Sequence, residues 1–120
     1  MIVHVREIGE VSVVEVEGRI TTEETADTLR DTFMSLIQRG RLKLVVNLQH
    51  VPSIDTTGLS EILRAYTSVT KRSGGLKLVK LSPHVRRVLE ITRLLTILEA
   101  FDDEAGALES LSKVRAVGAS

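Results

Sequence analysis

The segment Ile54-Asp55-Thr56-Thr57-Gly58-Leu59 brings a carboxylate and two hydroxyls together beside a glycine. A hydroxyl becomes a nucleophile when a neighbouring base takes its proton. Thr57, His50 and Asp55 can therefore be written as a triad. Nothing in the sequence brings His50 onto the Thr57 hydroxyl, so no catalytic residue is expected. Plain capping also accounts for the segment, because Asp55 or Thr56 can accept the free N–H groups of the next helix. The three histidines, His4, His50 and His84, stand far apart, with no i, i+4 pair. That spacing gives no metal site. Gly74-Gly75 precedes an apolar run rather than opening a helix, so it reads as a turn and not as a phosphate loop. A nucleophile elbow of the Gly-x-Ser-x-Gly kind is also missing. Neither metal nor cofactor is expected.

The elements that must position this segment follow from the apolar pattern. Val3 and Val5, then Val11, Val13, Val14 and Val16, predict two strands joined by a tight turn at Gly9-Glu10. Thr21 and Glu24 have capping-box spacing ahead of a helix bearing Ala26, Leu29, Phe33, Leu36 and Ile37, which Gly40 closes. Leu42 to Leu48 is apolar on both faces towards its end, as suits a central strand. A polar loop with Pro52 leads to a second helix with Leu59, Ile62, Leu63, Tyr66 and Val69 on one face, stopped by Ser73-Gly74-Gly75. Leu76 to Leu81 predicts a further strand. Ser82-Pro83 opens a helix on Val85, Val88 and Leu89. Ile97 to Phe101 suits a short edge strand, and Asp102-Asp103-Glu104 starts a last helix with Leu108, Leu111 and Val114. The order β-β-α-β-α-β-α-(β)-α is that of an α/β domain, with parallel pairing wherever a helix intervenes. One domain over 1–116 and a frayed tail over 117–120 are expected.

Composition narrows the function. Sixteen basic residues balance sixteen acidic ones, and Phe33, Tyr66 and Phe101 are the whole aromatic complement. A nucleic-acid binder would need a basic excess or stacking platforms, so no nucleic-acid partner is expected. Arg86, Arg87 and Arg93 read as a solvated helix face. Without cysteine there is no disulfide framework. The first residues lack the apolar stretch of a signal peptide, and no run approaches the roughly 18 apolar residues of a membrane span. The expectation is a soluble, cytoplasmic chain with no direct membrane insertion.

Val45-Val46-Asn47-Leu48, a short loop and Ile54-Asp55-Thr56-Thr57-Gly58-Leu59 together resemble the signature of the STAS family, named for sulfate transporters and anti-sigma factor antagonists. Its antagonist branch shows a hydrophobic strand ending in Asp-Leu and then Asp-Ser-Ser-Gly-Leu at a helix start. Gly18-Arg19-Ile20, Gly74-Gly75, Ser82 to Leu89 and Phe101 to Ala105 are similar to further family landmarks, in the same order. The resemblance implies one STAS-like domain, a mixed sheet of four to five strands with about four helices. It also implies a partner switch. Carried over by position, Thr57 is the phosphoacceptor, and Asp55, Thr56, Thr57, Gly58 and Leu59 form the partner-binding surface. The implied partners are an anti-sigma factor with a histidine-kinase-like ATPase fold, which phosphorylates Thr57, and a metal-dependent serine/threonine phosphatase. The unphosphorylated form would bind the anti-sigma factor and free a sigma factor. The alternative role within the family is a stand-alone subunit of an ABC-type lipid or solute transporter.

Physical chemistry fits such a switch. A phosphate of about −1.5 to −2 charges at a helix N-terminus faces the positive end of the macrodipole and leaves the fold intact. Gly58 would let a kinase approach the backbone closely. Four positions depart from the family pattern. Threonine fills both serine positions, Asn47 replaces an aspartate, and Glu61 stands where an aliphatic residue is usual, which would alter the partner surface.

Overall fold

The computed structural model of the chain describes residues 1–114. The predicted boundary at 116 and the tail 117–120 lie outside the described residues. Strands β1 (Ile2–Ile8) and β2 (Val11–Glu17) form the expected hairpin, antiparallel, with Ile8 opposite Val11 around a turn in which Gly9 has φ +59°. Helix α1 (Glu23–Gln38) leads to β3 (Lys43–His50), α2 (Thr56–Lys71) to β4 (Gly75–Val79), and α3 (Pro83–Ile91) with a short 3-10 turn (Leu94–Thr96) to β5 (Ala100–Phe101). Helix α4 (Glu104–Ser112) comes last. The strands lie in sequence order, and β2 to β5 pair in parallel. This is the expected α/β domain with a five-stranded mixed sheet.

Alternation along the strands divides the core in two. Val14, Val16, Leu44, Val46, Leu48, Leu76 and Leu78 face one way, onto Leu29 and Phe33 of α1, Ile62 of α2 and Leu89 of α3. Val11, Val13, Val45 and Val79 face the other way, onto Ala107 and Leu111 of α4. The central strand is thus covered on both sides, which explains its near-continuous apolar run. Strand β1 is an exposed edge, paired along its whole length with β2 and carrying ion pairs on its surface. Arg6 donates to both oxygens of Glu104 (2.8 and 2.7 Å) and to Glu15 (2.9 Å). Beside it, the Arg39 hydrogen bond and the Arg41 charge hold the Glu7 carboxyl below its ordinary range.

Three local expectations shift. The capping box of α1 is made by Thr22 and Thr25, one residue after the predicted Thr21 and Glu24, because Thr22 is the extended residue that ends the turn. At the end of α2 the left-handed residue is Ser73 (φ 62°) and not a glycine. Gly74 is needed for space, since a Cβ there would run into the backbone carbonyl of Leu42. The strand predicted to reach Leu81 stops at Val79, and the adjoining Lys80 is left-handed (φ 54°).

Candidate functional site

The start of α2 is fixed by three separate parts of the chain. Strand β3 carries an irregularity against β2, with Glu15 opposite Asn47 but Glu17 opposite His50. Such an extra residue bends a strand and re-aims the chain beyond it. Asn47, 6 % exposed, accepts the Gln49 N–H at 3.0 Å within this irregularity. A carboxylate would accept the same bond, so asparagine in place of the family's aspartate keeps the local geometry. Beyond β3, Val51 and Ile54 are buried and anchor the connecting loop. The exit of β2 is stitched to that loop, as Ile20 N–H donates to Ser53 O and Asp55 N–H to Ile20 O, each at 3.0 Å. From the far side, the Ser82 hydroxyl that caps α3 also donates to Val51 O at 2.5 Å.

On this platform Asp55 is the N-cap of α2. One of its oxygens, Oδ1, accepts the N–H of Thr57 (3.0 Å) and of Gly58 (3.1 Å). Of the two capping candidates left open by the sequence, Asp55 takes the position, and Thr56 begins the helix proper. Thr56 and Thr57 are both exposed. Neither hydroxyl makes a hydrogen bond to another described residue, so both are free to meet a partner. No hydrogen bond joins His50 to Thr57 or to Asp55 among the described residues, and the triad that can be written from sequence is not assembled. His4, His50 and His84 stay apart, and the described residues contain no group of three or more potential metal ligands. Asp55→Ala should cost about 1 kcal/mol of stability through loss of the cap, with a smaller loss for Asp55→Asn. Urea denaturation midpoints of the two variants against wild type check this.

The five residues expected to meet a partner do not share one surface. Gly58 and Leu59 are buried, Leu59 at 5 % exposure. The open surface consists of Thr56, Thr57 and Ser60, with Asp55 half-exposed beside them. Gly58 therefore serves the interior. A Cβ there would lie 2.6 Å from Ile20 Cγ2 and 2.9 Å from Ile54 Cγ1. The glycine lets α2 press its first turn onto those two isoleucines, and close kinase approach is not what requires it. Glu61 is corrected in the same way. It is 7 % exposed and turned towards α1, away from the surface carrying Thr57. Sequence periodicity also missed the Ile20–Ile54 bridge and the Ser82–Val51 clasp, since both join residues far apart in the chain.

Residues 3–107 match the family model for the STAS domain. The chain belongs to the STAS family. Among curated proteins this STAS domain is similar to the anti-sigma F factor antagonist of Paenibacillus polymyxa, 29 % identical over 87 % of this chain and 89 % of that one. An anti-sigma factor antagonist from Mycobacterium paratuberculosis superimposes with a TM-score of 0.83, at 25 % identity, covering 92 % of this chain and 93 % of that one. The Bacillus antagonist SpoIIAA shares the fold, with a TM-score of 0.74 at 16 % identity over 94 % of this chain and 100 % of that one. That protein has been solved in unphosphorylated and phosphorylated forms. Among the described residues of this STAS domain, no helix is long and apolar enough to cross a membrane.

Proposed function

We propose that this STAS domain is an anti-sigma factor antagonist whose binding is controlled by phosphorylation of Thr57. The observation that carries the reading is the free Thr57 hydroxyl. It is exposed, has no hydrogen-bond partner among the described residues, and sits on a helix start fixed by β2, β3 and α3. A rigidly presented hydroxyl costs little ordering entropy when a kinase or a binding partner engages it. Asp55 contributes by position. Its Oδ1 is committed to the Thr57 and Gly58 amides, so a phosphate on Thr57 would not displace the cap. The new charge would stay at the surface, where a partner reads it.

The partner is an anti-sigma factor with a histidine-kinase-like ATPase fold, and a metal-dependent phosphatase resets the switch. The chain acts as a binding module in the cytoplasm, and the nucleotide belongs to the kinase. Incubation with the cognate ATPase and ATP, then phosphopeptide mapping, tests the reading. One phosphate on Thr57 is the expected result. Modification of Thr56 alone, or no transfer to a folded substrate, sinks the assignment.

A further inference from the structure

A second feature of α2 lies away from Thr57 and is independent of its phosphorylation. Glu61 is buried in the seam between α1 and α2, with its side chain 8 % exposed. Its Oε1 is enclosed and has no hydrogen-bond partner among the described residues. The nearest cation to its other oxygen is Arg30 Nη1 at 3.9 Å, beyond hydrogen-bond reach. Arg30 places its other nitrogen on Asp27 at 3.0 Å. Leaving a buried carboxylate short of donors is costly, and an aliphatic side chain would avoid that cost. Arg64, on the next turn of α2, is exposed at the mouth of the same seam and makes no ion pair with any described residue.

These groups line one cavity of about 240 Å³. Phe33 and Ile37 of α1 supply apolar wall, and Met34, 48 % exposed, stands at the rim. A buried carboxylate short of donors, a solvent-facing guanidinium with no ion-pair partner among the described residues and an apolar wall together describe the complement of a small zwitterion. The volume lies below the roughly 300–1,000 Å³ of sites for drug-sized ligands and suits a single small metabolite. Of the two Glu61 oxygens, Oε2 is the one that is not enclosed, and it is the atom a ligand in the cavity would meet.

We propose that this cavity binds a free apolar α-amino acid, its ammonium on Glu61, its carboxylate on Arg64 and Arg30, and its side chain against Phe33 and Ile37. The double polar requirement disfavours ligands carrying one charge. An amine alone would meet two guanidiniums, and a fatty acid alone would meet the buried carboxylate.

The test is an NMR titration of the full chain with L-leucine, L-methionine and L-phenylalanine at millimolar concentrations. Saturable shifts of amides in α1 and α2 around Glu61 are expected for at least one of them. Isoamylamine and 4-methylvalerate, each lacking one charged group of leucine, should bind about tenfold more weakly or worse. Glu61→Gln and Arg64→Gln, each verified as folded by circular dichroism, should weaken the amino acid by a similar factor. Absence of saturable shifts with all three amino acids overturns the proposal. So does binding that is unchanged in Glu61→Gln, or that maps elsewhere on the domain.

Discussion

Thr57→Asp is expected to bind the anti-sigma factor roughly a hundredfold more weakly than wild type, at an almost unchanged melting temperature. Both halves follow from the position of Thr57. It occupies the second residue of α2, exposed, with its backbone amide held by Asp55. A carboxylate in the first turn of a helix is favoured by the macrodipole, and repulsion from Asp55 is screened by water and salt. The two effects oppose one another at the surface, so stability should stay within about 1 kcal/mol of wild type. Binding is different, because docking removes that water. A charge then meets a partner surface shaped for a hydroxyl, and an unpaired charge buried at an interface costs several kcal/mol. At about 1.4 kcal/mol per decade, a cost near 3 kcal/mol gives the hundredfold loss. Thr57→Ala separates charge from shape. It should bind close to wild type, yet fail to be released when ATP is supplied. Calorimetry of both variants against the anti-sigma factor decides. Equal binding by Thr57→Asp and wild type would remove the switch from this residue.

The parts of this site legible in the sequence are those whose physics is local. The capping oxygens of Asp55 and Ser82, the left-handed turn at Gly40 and the alternation of valines in β2 each rest on residues close together in the chain. Local periodicity also carried the α/β order. Positions whose role depends on distant residues could not be read that way. Gly58 looks like a surface glycine beside a hydroxyl until Ile20, some forty positions earlier, is brought against it. Glu61 reads as polar and hence outward-facing. It is turned inward because Ile62 and Ala65 fix which side of α2 meets the core, and the adjoining side meets α1. The one-residue displacement of the α1 capping box has the same origin, since the residue that becomes extended is set by where β2 releases the chain at Ile20.

The inward role of Gly58 leads to the second large effect, because Gly58→Ala should destabilise the protein by about 2 kcal/mol. An ordinary glycine in a helix would give the opposite sign, a gain of about 0.5–1 kcal/mol from reduced chain entropy and better propensity. Here the added methyl would sit 2.6 Å from Ile20 Cγ2 and 3.2 Å from Ile20 Cβ. Ile20 is fully buried, and its backbone is tied to the loop by the bonds to Ser53 and Asp55. It has little freedom to retreat, so α2 itself must lift, at an overpacking cost of about 1–3 kcal/mol or more. A double-mutant cycle identifies the contact responsible. Ile20→Ala opens a cavity in the wild-type background but relieves the clash in Gly58→Ala, so the two substitutions should couple favourably by about 1 kcal/mol or more. Stabilisation by Gly58→Ala, or strict additivity with Ile20→Ala in urea denaturation, would rule out this packing. The displacement should also reach function. Lifting the first turn moves the Thr57 hydroxyl away from the geometry fixed by β2 and β3, and a misplacement of about 1 Å can cost a hundredfold in rate. Phosphate transfer to a folded Gly58→Ala protein should therefore slow although every polar group of the site is still present.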